Sequence, residues 1–411
     1  MNKIPRVKIY LSIKQLILSI FKDAKKCQFN IENIFKERLN KENIIFTGMC
    51  RSAFIIVLDY LKNTFPQKDE IIICAYNLKE MIDVARLKNF KVRFVDINLQ
   101  SGLINNDKVL QLINSKTTAL LYTNMFNDHL ILRDLQKICK KYNILLIEDN
   151  AIYLGNYTNT EGKKIMAGSF GDVSLLSFGI MKNVSALFGG ALATSNKDLA
   201  IFANKKINEY NNFPKVLYFK QIILFLLLKI LLSKYVYNYF FYYIIKIASS
   251  RKILLIQKLI YPSMKFEMKK KIPISYYSKI SNTSIKIIDH LLSDKESIKN
   301  ELIRKSNNKS YFFHLQNIKN IIIFPFNDYN FQNLLDFPII VKNKKKLVDN
   351  LFENGLEVRS YFYDNCEIIT GESENFNAQH LEENLICLPS HSNISEKDVI
   401  KFSKVINQFY K

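Results

Sequence analysis

Between Asn43 and Thr194 the chain alternates short apolar runs with stretches of helical periodicity, and this alternation restricts the possible fold more than any other feature. The runs Ile71–Cys74, Val92–Ile97, Ala119–Asn124, Ile144–Asp149, Val173–Phe178 and Gly190–Thr194 have strand-like length and composition. Helical candidates lie between them at Ser52–Asn63, Leu78–Lys88, Lys108–Asn114 and Leu132–Lys141. Such alternation predicts an α/β fold with parallel strands covered by helices, and ligands held beyond the carboxyl ends of the strands. Asn124, Asp149 and Ser177 all fall at those ends.

A chain of 411 residues is too long for one small core, and two structural units are expected. The pattern divides into an N-terminal helical segment (1–42), a large domain (43–283) and a smaller C-terminal α/β domain (284–411). In the smaller unit a helix near Ile285–Asn300 precedes strands at Ile321–Phe324 and Phe337–Val341. A helix at Lys344–Asn354 then stops at Gly355, followed by a strand at Leu356–Phe362 and a tail helix at Ser395–Tyr410.

Charge and cysteine usage exclude several function classes. The 59 Lys and Arg outnumber 37 Asp and Glu, giving a net charge of +22. A Lys/Asn/Ile-rich composition accounts for part of this excess; an anionic substrate or an acidic membrane surface would use it. The basic residues are scattered, and no helix-turn-helix or basic-aromatic module is visible, so nucleic acid is not an expected partner. Six cysteines and five histidines are dispersed without a Cys-x-x-Cys pair. That argues against a metal site or a disulfide framework and for reduced thiols in a cytoplasmic protein. The basic, apolar start lacks a small-residue cleavage site and is broken by Lys14, so it does not read as a signal peptide. Ile9–Phe21 instead has the periodicity of an amphipathic helix.

Residues Val216 to Met264 depart from the alternation. Gln221–Leu228 and Tyr235–Ile245 are intensely apolar and aromatic but are interrupted by Lys229 and Lys234. Three readings stay open here: a buried helical hairpin or dimer contact, an element lying on a membrane surface, or a transmembrane span, the lysines counting against the last.

The chemistry concentrates between Asn143 and Ser195. A carboxylate (Asp149) ends one strand, a hydroxyl (Ser177) ends the next, and an amine (Lys182) follows on the loop before Gly189-Gly190. An amine nucleophile beside a carboxylate that can keep a pyridine nitrogen protonated is what pyridoxal phosphate (PLP) asks of a protein. On this reading Lys182 and Asp149 are catalytic. Cys50, Arg51 and Ser52, at a predicted helix start, join Ser177 in holding the phosphate. Arg51 could instead be a simple helix-start residue, and Glu148 is given no catalytic role.

Several motifs occur in order: Glu148-Asp149-Asn150-Ala151, Gly168-Ser169-Phe170-Gly171-Asp172, Leu176-Ser177-Phe178, Lys182-Asn183 and Gly189-Gly190. Phe94-Val95-Asp96-Ile97 lies upstream, and Cys387-Leu388-Pro389-Ser390-His391 near the end. In this the chain resembles the DegT-type sugar aminotransferases, PLP enzymes of fold type I. The resemblance implies a three-layer, mostly parallel sheet with a smaller C-terminal domain. It also implies a homodimer and transfer of an amino group, with glutamate as donor, to a nucleotide-linked keto sugar used in surface polysaccharide or glycoconjugate synthesis. Relatives of the dehydratase branch carry His where Lys182 stands, so transamination is the expected reaction. The chain departs from the pattern at Leu78, where relatives place an aromatic ring over the cofactor and Tyr76 is the nearby substitute. It departs also at Ile152, at Tyr277 and at Met125-Phe126-Asn127. These departures keep two alternatives open: a membrane-surface paralogue with a degenerate PLP pocket, peripheral at the inner face of the membrane through 216–264, or a PLP enzyme acting on another small keto compound.

Overall fold

The computed structural model describes residues 3–126, 131–152, 154–160, 163–250, 268–325, 334–369 and 376–411. Seven strands build the main sheet: β1 (Asn43–Thr47), β2 (Glu70–Cys74), β3 (Lys91–Val95), β4 (Thr117–Thr123), β5 (Leu145–Asp149), β6 (Val173–Ser177) and β7 (Gly190–Thr194). Their spatial order is β1-β7-β6-β5-β4-β2-β3. Strands β6, β5, β4, β2 and β3 pair in parallel, and only β7 is antiparallel to both of its neighbours. The alternation between Asn43 and Thr194 therefore gives the expected α/β architecture, with one reversal. No helix crosses between β6 and β7, so the chain turns back along the sheet, and the connection stays at the carboxyl end of β6.

The central strands are mostly apolar because both faces are covered: Ile71–Ile73 and Ala119–Leu121 are wholly buried. Helices α1 (Ile13–Ile20) and α2 (Ala24–Leu39) precede the sheet, and α3 (Cys50–Thr64), α4 (Lys79–Leu87), α5 (Asn106–Leu112), α6 (Leu132–Lys141) and α7 (Lys197–Glu209) connect or flank its strands. The α2 helix buries Cys27, Ile31, Phe35 and Leu39, one residue per turn. Its Phe35 ring lies 6.5 Å from Phe46 and 5.7 Å from Phe178. Asp23 caps it, and Asn40, at φ 50°, ends it. The amphipathic stretch expected over Ile9–Phe21 forms a helix only from Ile13.

Helix α8 (Lys215–Leu231) and helix α9 (Lys234–Val236, a π-turn at Tyr237–Phe241, then Tyr242–Ser250) replace the alternation after the sheet. The two meet at a bend of 68°. Among the described residues no single helix is long and apolar enough to cross a membrane. The remainder of the apolar segment, from 251, lies outside the described residues, as does Asn127.

The C-terminal part holds a second sheet of β8 (Ile321–Ile322), β9 (Asp336–Val341) and β10 (Leu385–Pro389), all antiparallel. Its helices are α10 (Asn282–Ser293), α11 (Lys295–Leu315), α12 (Lys344–Glu353), α13 (Phe376–Asn384) and α14 (Glu396–Tyr410). Two expectations are corrected here. The helix near Ile285–Asn300 is two helices, because Asp294 ends α10 and its side chain accepts from the Glu296 N–H as the cap of α11. Leu356–Phe362 is no strand; its strand-like pairing is confined to the isolated bridges Ile4–Leu356 and Arg359–Cys387. Its Arg359, Phe362 and the following Tyr363 reach the main cavity instead.

Candidate active site

The reversal at β7 brings three chain segments to one point. Met49, just before α3, bridges to Gly189. Gly190 pairs with Ser177 at the end of β6, and β5 ends alongside in Asp149. A side chain at Gly190 cannot be accommodated: a Cβ there would lie 2.3 Å from the backbone nitrogen of Cys50. Gly189 has φ +140°, a conformation open to glycine and strained for other residues. The Gly-Gly pair thus lets the start of α3 approach the tips of β6 and β7.

These segments wall a cavity of about 550 Å³. Its lining includes Cys50, Arg51, Asp149, Ser177 and Lys182, five of the six residues singled out from the sequence. The sixth, Ser52, is fully buried beneath them and does not line it. The Ser52 N–H donates to the Met49 carbonyl at 3.0 Å, which corrects the expectation that it is offered to a phosphate. Its Oγ is buried without a hydrogen-bond partner among the described residues.

Asp149 is nearly buried and accepts the Ala151 N–H at 2.9 Å. Burial raises its pKa, opposed by that hydrogen bond and by the charge of Lys182. Burial lowers Lys182 to about 8, while Asp149 pulls it the other way. The pair is thus an amine and a carboxylate that perturb one another inside one cavity. Burial pushes the Cys50 thiol up, so this cysteine stays protonated. The loop that carries Lys182 is pinned at several points. The Phe178 N–H donates to Gly189 O at 3.0 Å, Ser185 Oγ to Ile180 O at 2.6 Å and Asn183 Nδ2 to Leu154 O at 3.0 Å. Arg304 of α11, itself buried, donates to Asn183 Oδ1.

Arg51 makes an ion pair with Glu80, and its guanidinium sits 4.9 Å from the centre of the Tyr276 ring. Arg6 and Arg359 also line the cavity, giving it four cationic side chains with Arg51 and Lys182 against the carboxylates of Asp149 and Glu80. Arg359 pairs with Asp336 at 3.0 Å. Neither Arg6 nor Arg359 was legible in the sequence, because nothing local marks a residue delivered from a distant part of the chain.

Tyr76 does not take the place that Leu78 leaves without a ring. It is buried against Phe126 and Tyr363, with ring centres 6.3 and 6.0 Å away, and lies outside the cavity lining. Leu78 and Ile152 do line the cavity; its aromatic surface comes from Phe188, Tyr361, Phe362 and Tyr363. Tyr277 packs edge-on to Tyr210 and is not part of the lining.

Glu148, the neighbour of Asp149, points the other way, as alternation along β5 requires. Its carboxylate accepts from Asn124 Nδ2 at 2.9 Å and from the N–H groups of Gly168, Phe170 and Gly171 at 2.6, 3.2 and 3.0 Å. Lys41 Nζ donates to the carbonyls of Ser169 and Gly171. The Gly168–Asp172 motif is therefore a clamped turn that holds β5 against β6. Asp96 is structural too: its carboxylate accepts from the Asn377 and Ala378 N–H groups in the first turn of α13.

The model of the DegT/DnrJ/EryC1/StrS aminotransferase family matches residues 22–213. Over these residues, a little under half of its length, the chain is similar to this family. The match covers the seven-stranded sheet and every cavity residue from Cys50 to Lys182 named above. One curated family relative, the UDP-4-amino-4,6-dideoxy-N-acetyl-beta-L-altrosamine transaminase of Campylobacter jejuni, is 23% identical over 336 residues, 78% of this chain and 74% of that protein. GDP-perosamine synthase of Vibrio cholerae is 30% identical over 135 residues, only 33% of this chain and 35% of that protein. A further curated relative is likewise matched over less than half of its length, 42%. Solved structures extend the likeness to the whole fold. PseC of Helicobacter pylori, an aminotransferase of pseudoaminic acid biosynthesis, superposes with a TM-score of 0.71 at 15% identity, covering 100% of this chain and 99% of that one. The E. coli GDP-4-keto-6-deoxy-D-mannose-3-dehydratase, solved with bound hydrated PLP, gives 0.71 at 17% identity over 98% and 99%.

The family's cofactor fits the residues present. A phosphate finds the N-terminus of a long helix whose N-cap, Met49, supplies no side-chain bond to its first turn. A pyridine nitrogen finds the buried Asp149, and an aldehyde finds the depressed amine of Lys182.

Proposed function

We propose that this chain is a PLP-dependent aminotransferase that moves an amino group from glutamate onto the keto carbon of a nucleotide-linked sugar destined for a surface polysaccharide or glycoconjugate. The observation that carries the reading is the coupled pair Lys182 and Asp149 in one cavity at the carboxyl ends of β5 and β6. The names of the relatives, with their GDP- and UDP-linked sugars, supply the substrate class. Four cationic side chains facing two carboxylates suit a diphosphate-bearing substrate.

When bound, PLP supplies an aldehyde that captures amines and a protonated ring that draws electrons from the attached carbon. Lys182 would hold the aldehyde. Because burial lowers it to about 8, its amine reaches the uncharged, nucleophilic form nearer neutrality than an exposed lysine does. Asp149 would hold the ring nitrogen's proton, its charge supported by the Ala151 N–H. The α3 N–H groups of Cys50 and Arg51, with Ser177 Oγ, would hold the phosphate. With an amino donor in place, Lys182 Nζ would be the base that carries a proton from the donor carbon to the cofactor's aldehyde carbon, and in the second half from that carbon to the acceptor carbon. The pinned loop around Asn183 keeps that nitrogen in place through both halves of the reaction.

The working form is taken to be a cytoplasmic homodimer, supported by the family resemblance and by six cysteines that are all free thiols, five of them buried; sedimentation velocity measures its size. The substrate class is tested by supplying glutamate with GDP- or UDP-linked 4-keto sugars, or with simple keto acids, and following 2-oxoglutarate release. Transfer to the nucleotide sugars is expected. Transfer confined to the simple keto acids contradicts the sugar assignment and leaves the cofactor assignment standing.

A further inference from the structure

We infer that the outer faces of α8, α9 and α1 form a docking surface for an anionic lipid bilayer. The α8 helix exposes Val216, Phe219, Ile223, Leu226 and Ile230, a stripe at three- and four-residue spacing, while its opposite side buries Tyr218, Phe225 and Leu228. The α9 helix repeats the arrangement, exposing Tyr235, Tyr239, Phe240, Tyr243 and Ile247 around the buried Tyr237, Phe241 and Tyr242. Phe219, Tyr239 and Phe240 are 63%, 76% and 71% exposed. Apolar surface this continuous is rare on a water-facing protein.

The first helix is turned inside out. It buries Gln15 and Ser19, with Gln15 Nε2 donating to Asp294 Oδ2 at 2.5 Å, and exposes Ile13, Ile17, Leu18 and Ile20, followed by Phe21. Of its apolar residues only Leu16 packs against the core; the exposed stripe does not. The segment leading into it is tied to the helix pair. Lys229 Nζ donates to the Ile9 carbonyl at 2.8 Å, and Lys3 Nζ donates to Asn238 O at 3.2 Å and to Tyr243 Oη at 2.8 Å.

Charge selects the occupant. No Asp or Glu occurs between Glu209 and Glu267, whereas α8 and α9 carry Lys215, Lys220, Lys234 and Lys246 besides the Lys229 that is bonded to Ile9. A second copy docked through the same face would set these lysines against their own counterparts, with no acid to relieve them. Anionic headgroups meet the lysines, tyrosines sit at the headgroup level, and the aliphatic stripes enter the acyl boundary. The inner side of α8 supplies Gln221, Leu224 and Leu228 to the cavity, so one helix joins the docking face to the site.

The test mixes the full-length protein with vesicles of phosphatidylcholine alone, or of equal parts phosphatidylcholine and phosphatidylglycerol, and measures flotation. Binding to the anionic vesicles at least about tenfold tighter, and weakened by salt, is expected. The double variant Phe219→Glu/Phe240→Glu, at two exposed positions outside the cavity lining, should lose at least about tenfold of that binding while keeping its melting temperature and its PLP absorbance. Ile17→Glu should weaken binding in the same direction. The inference is overturned if the wild-type protein ignores both vesicle types. It is overturned equally if the double variant turns a dimer into monomers, since that assigns the face to a second copy.

Discussion

A lysine whose amine titrates near 8 instead of 10.5 makes two predictions at the scale of single residues. The uncharged amine is the form that captures an aldehyde, so the rate of PLP uptake by the apoprotein should rise with pH and level off above about 8. Stopped-flow absorbance measures it; a rate independent of pH contradicts the assignment. The stability sign follows from the same shift. Between about 8 and 10.5 the unfolded chain holds a proton on Lys182 that the folded chain has lost, so the stability of the apoprotein should increase with pH there. Below that window the buried charge is a penalty. Lys182→Met should therefore melt higher than wild type at neutral pH and lack the alkaline rise, as calorimetry of the two apoproteins would reveal. Asp149→Asn removes the charge that keeps a pyridine nitrogen protonated, and kcat should fall on the order of 10²–10³-fold with the cofactor still retained. Asp149 and Ser177 were legible as candidates because each ends a strand, and strand ends follow from apolar run length; Lys182 was legible because it follows on the short loop before Gly189-Gly190. Arg6, Arg359 and Tyr363 were not, since only the folded chain carries them into the same cavity. The lost helix-start role of Ser52 has a local cause: its N–H already closes the first turn on Met49.

At the scale of elements, the strand–helix alternation was legible to within about two residues, while the strand β1 and the reversal at β7 were not. Gly190–Thr194 has the composition of any other buried strand, and its direction depends on what joins it to β6, a loop rather than a helix. Glu148 shows the same division. Its carboxyl group beside Asp149 is plain in the sequence, but its work lies in clamping Gly168, Phe170 and Gly171. Glu148→Ala strands three buried N–H groups and should cost about 3 kcal/mol or more in urea unfolding; a loss below about 1 kcal/mol would show that the clamp is dispensable. Gly190→Ala meets backbone rather than a movable side chain. It should displace the start of α3 and lower PLP affinity at least about tenfold, roughly what 1–3 kcal/mol of overpacking gives, as fluorescence titration would show. Loop and bend positions were the hardest to read: Asp294 both ends a helix and caps the next, and Leu356–Phe362 looks like a strand but finds no continuous partner.

At the scale of the whole molecule, long-range ties gather the cavity wall. Arg304 in α11 holds the Lys182 loop through Asn183, and Asp96 from the main sheet caps α13. The His391 ring lies 2.9 Å from the carbonyl of Pro5, which anchors the segment carrying Arg6. The motifs around Asp96 and His391 thus act as fasteners between parts of the chain, a role invisible until those parts meet. The apolar residues from 216 onward gave no single answer in the sequence because the same residues serve a core and an interface; the fold divides them, one side of each helix to each. The proposed activity depends above all on the link between Lys182 and the cofactor. Purified protein loaded with PLP, reduced with borohydride and digested should yield one cofactor-bearing peptide, carrying the label on Lys182, and Lys182→Ala should yield none. A label on any other lysine, or one that survives in the Ala variant, would contradict it.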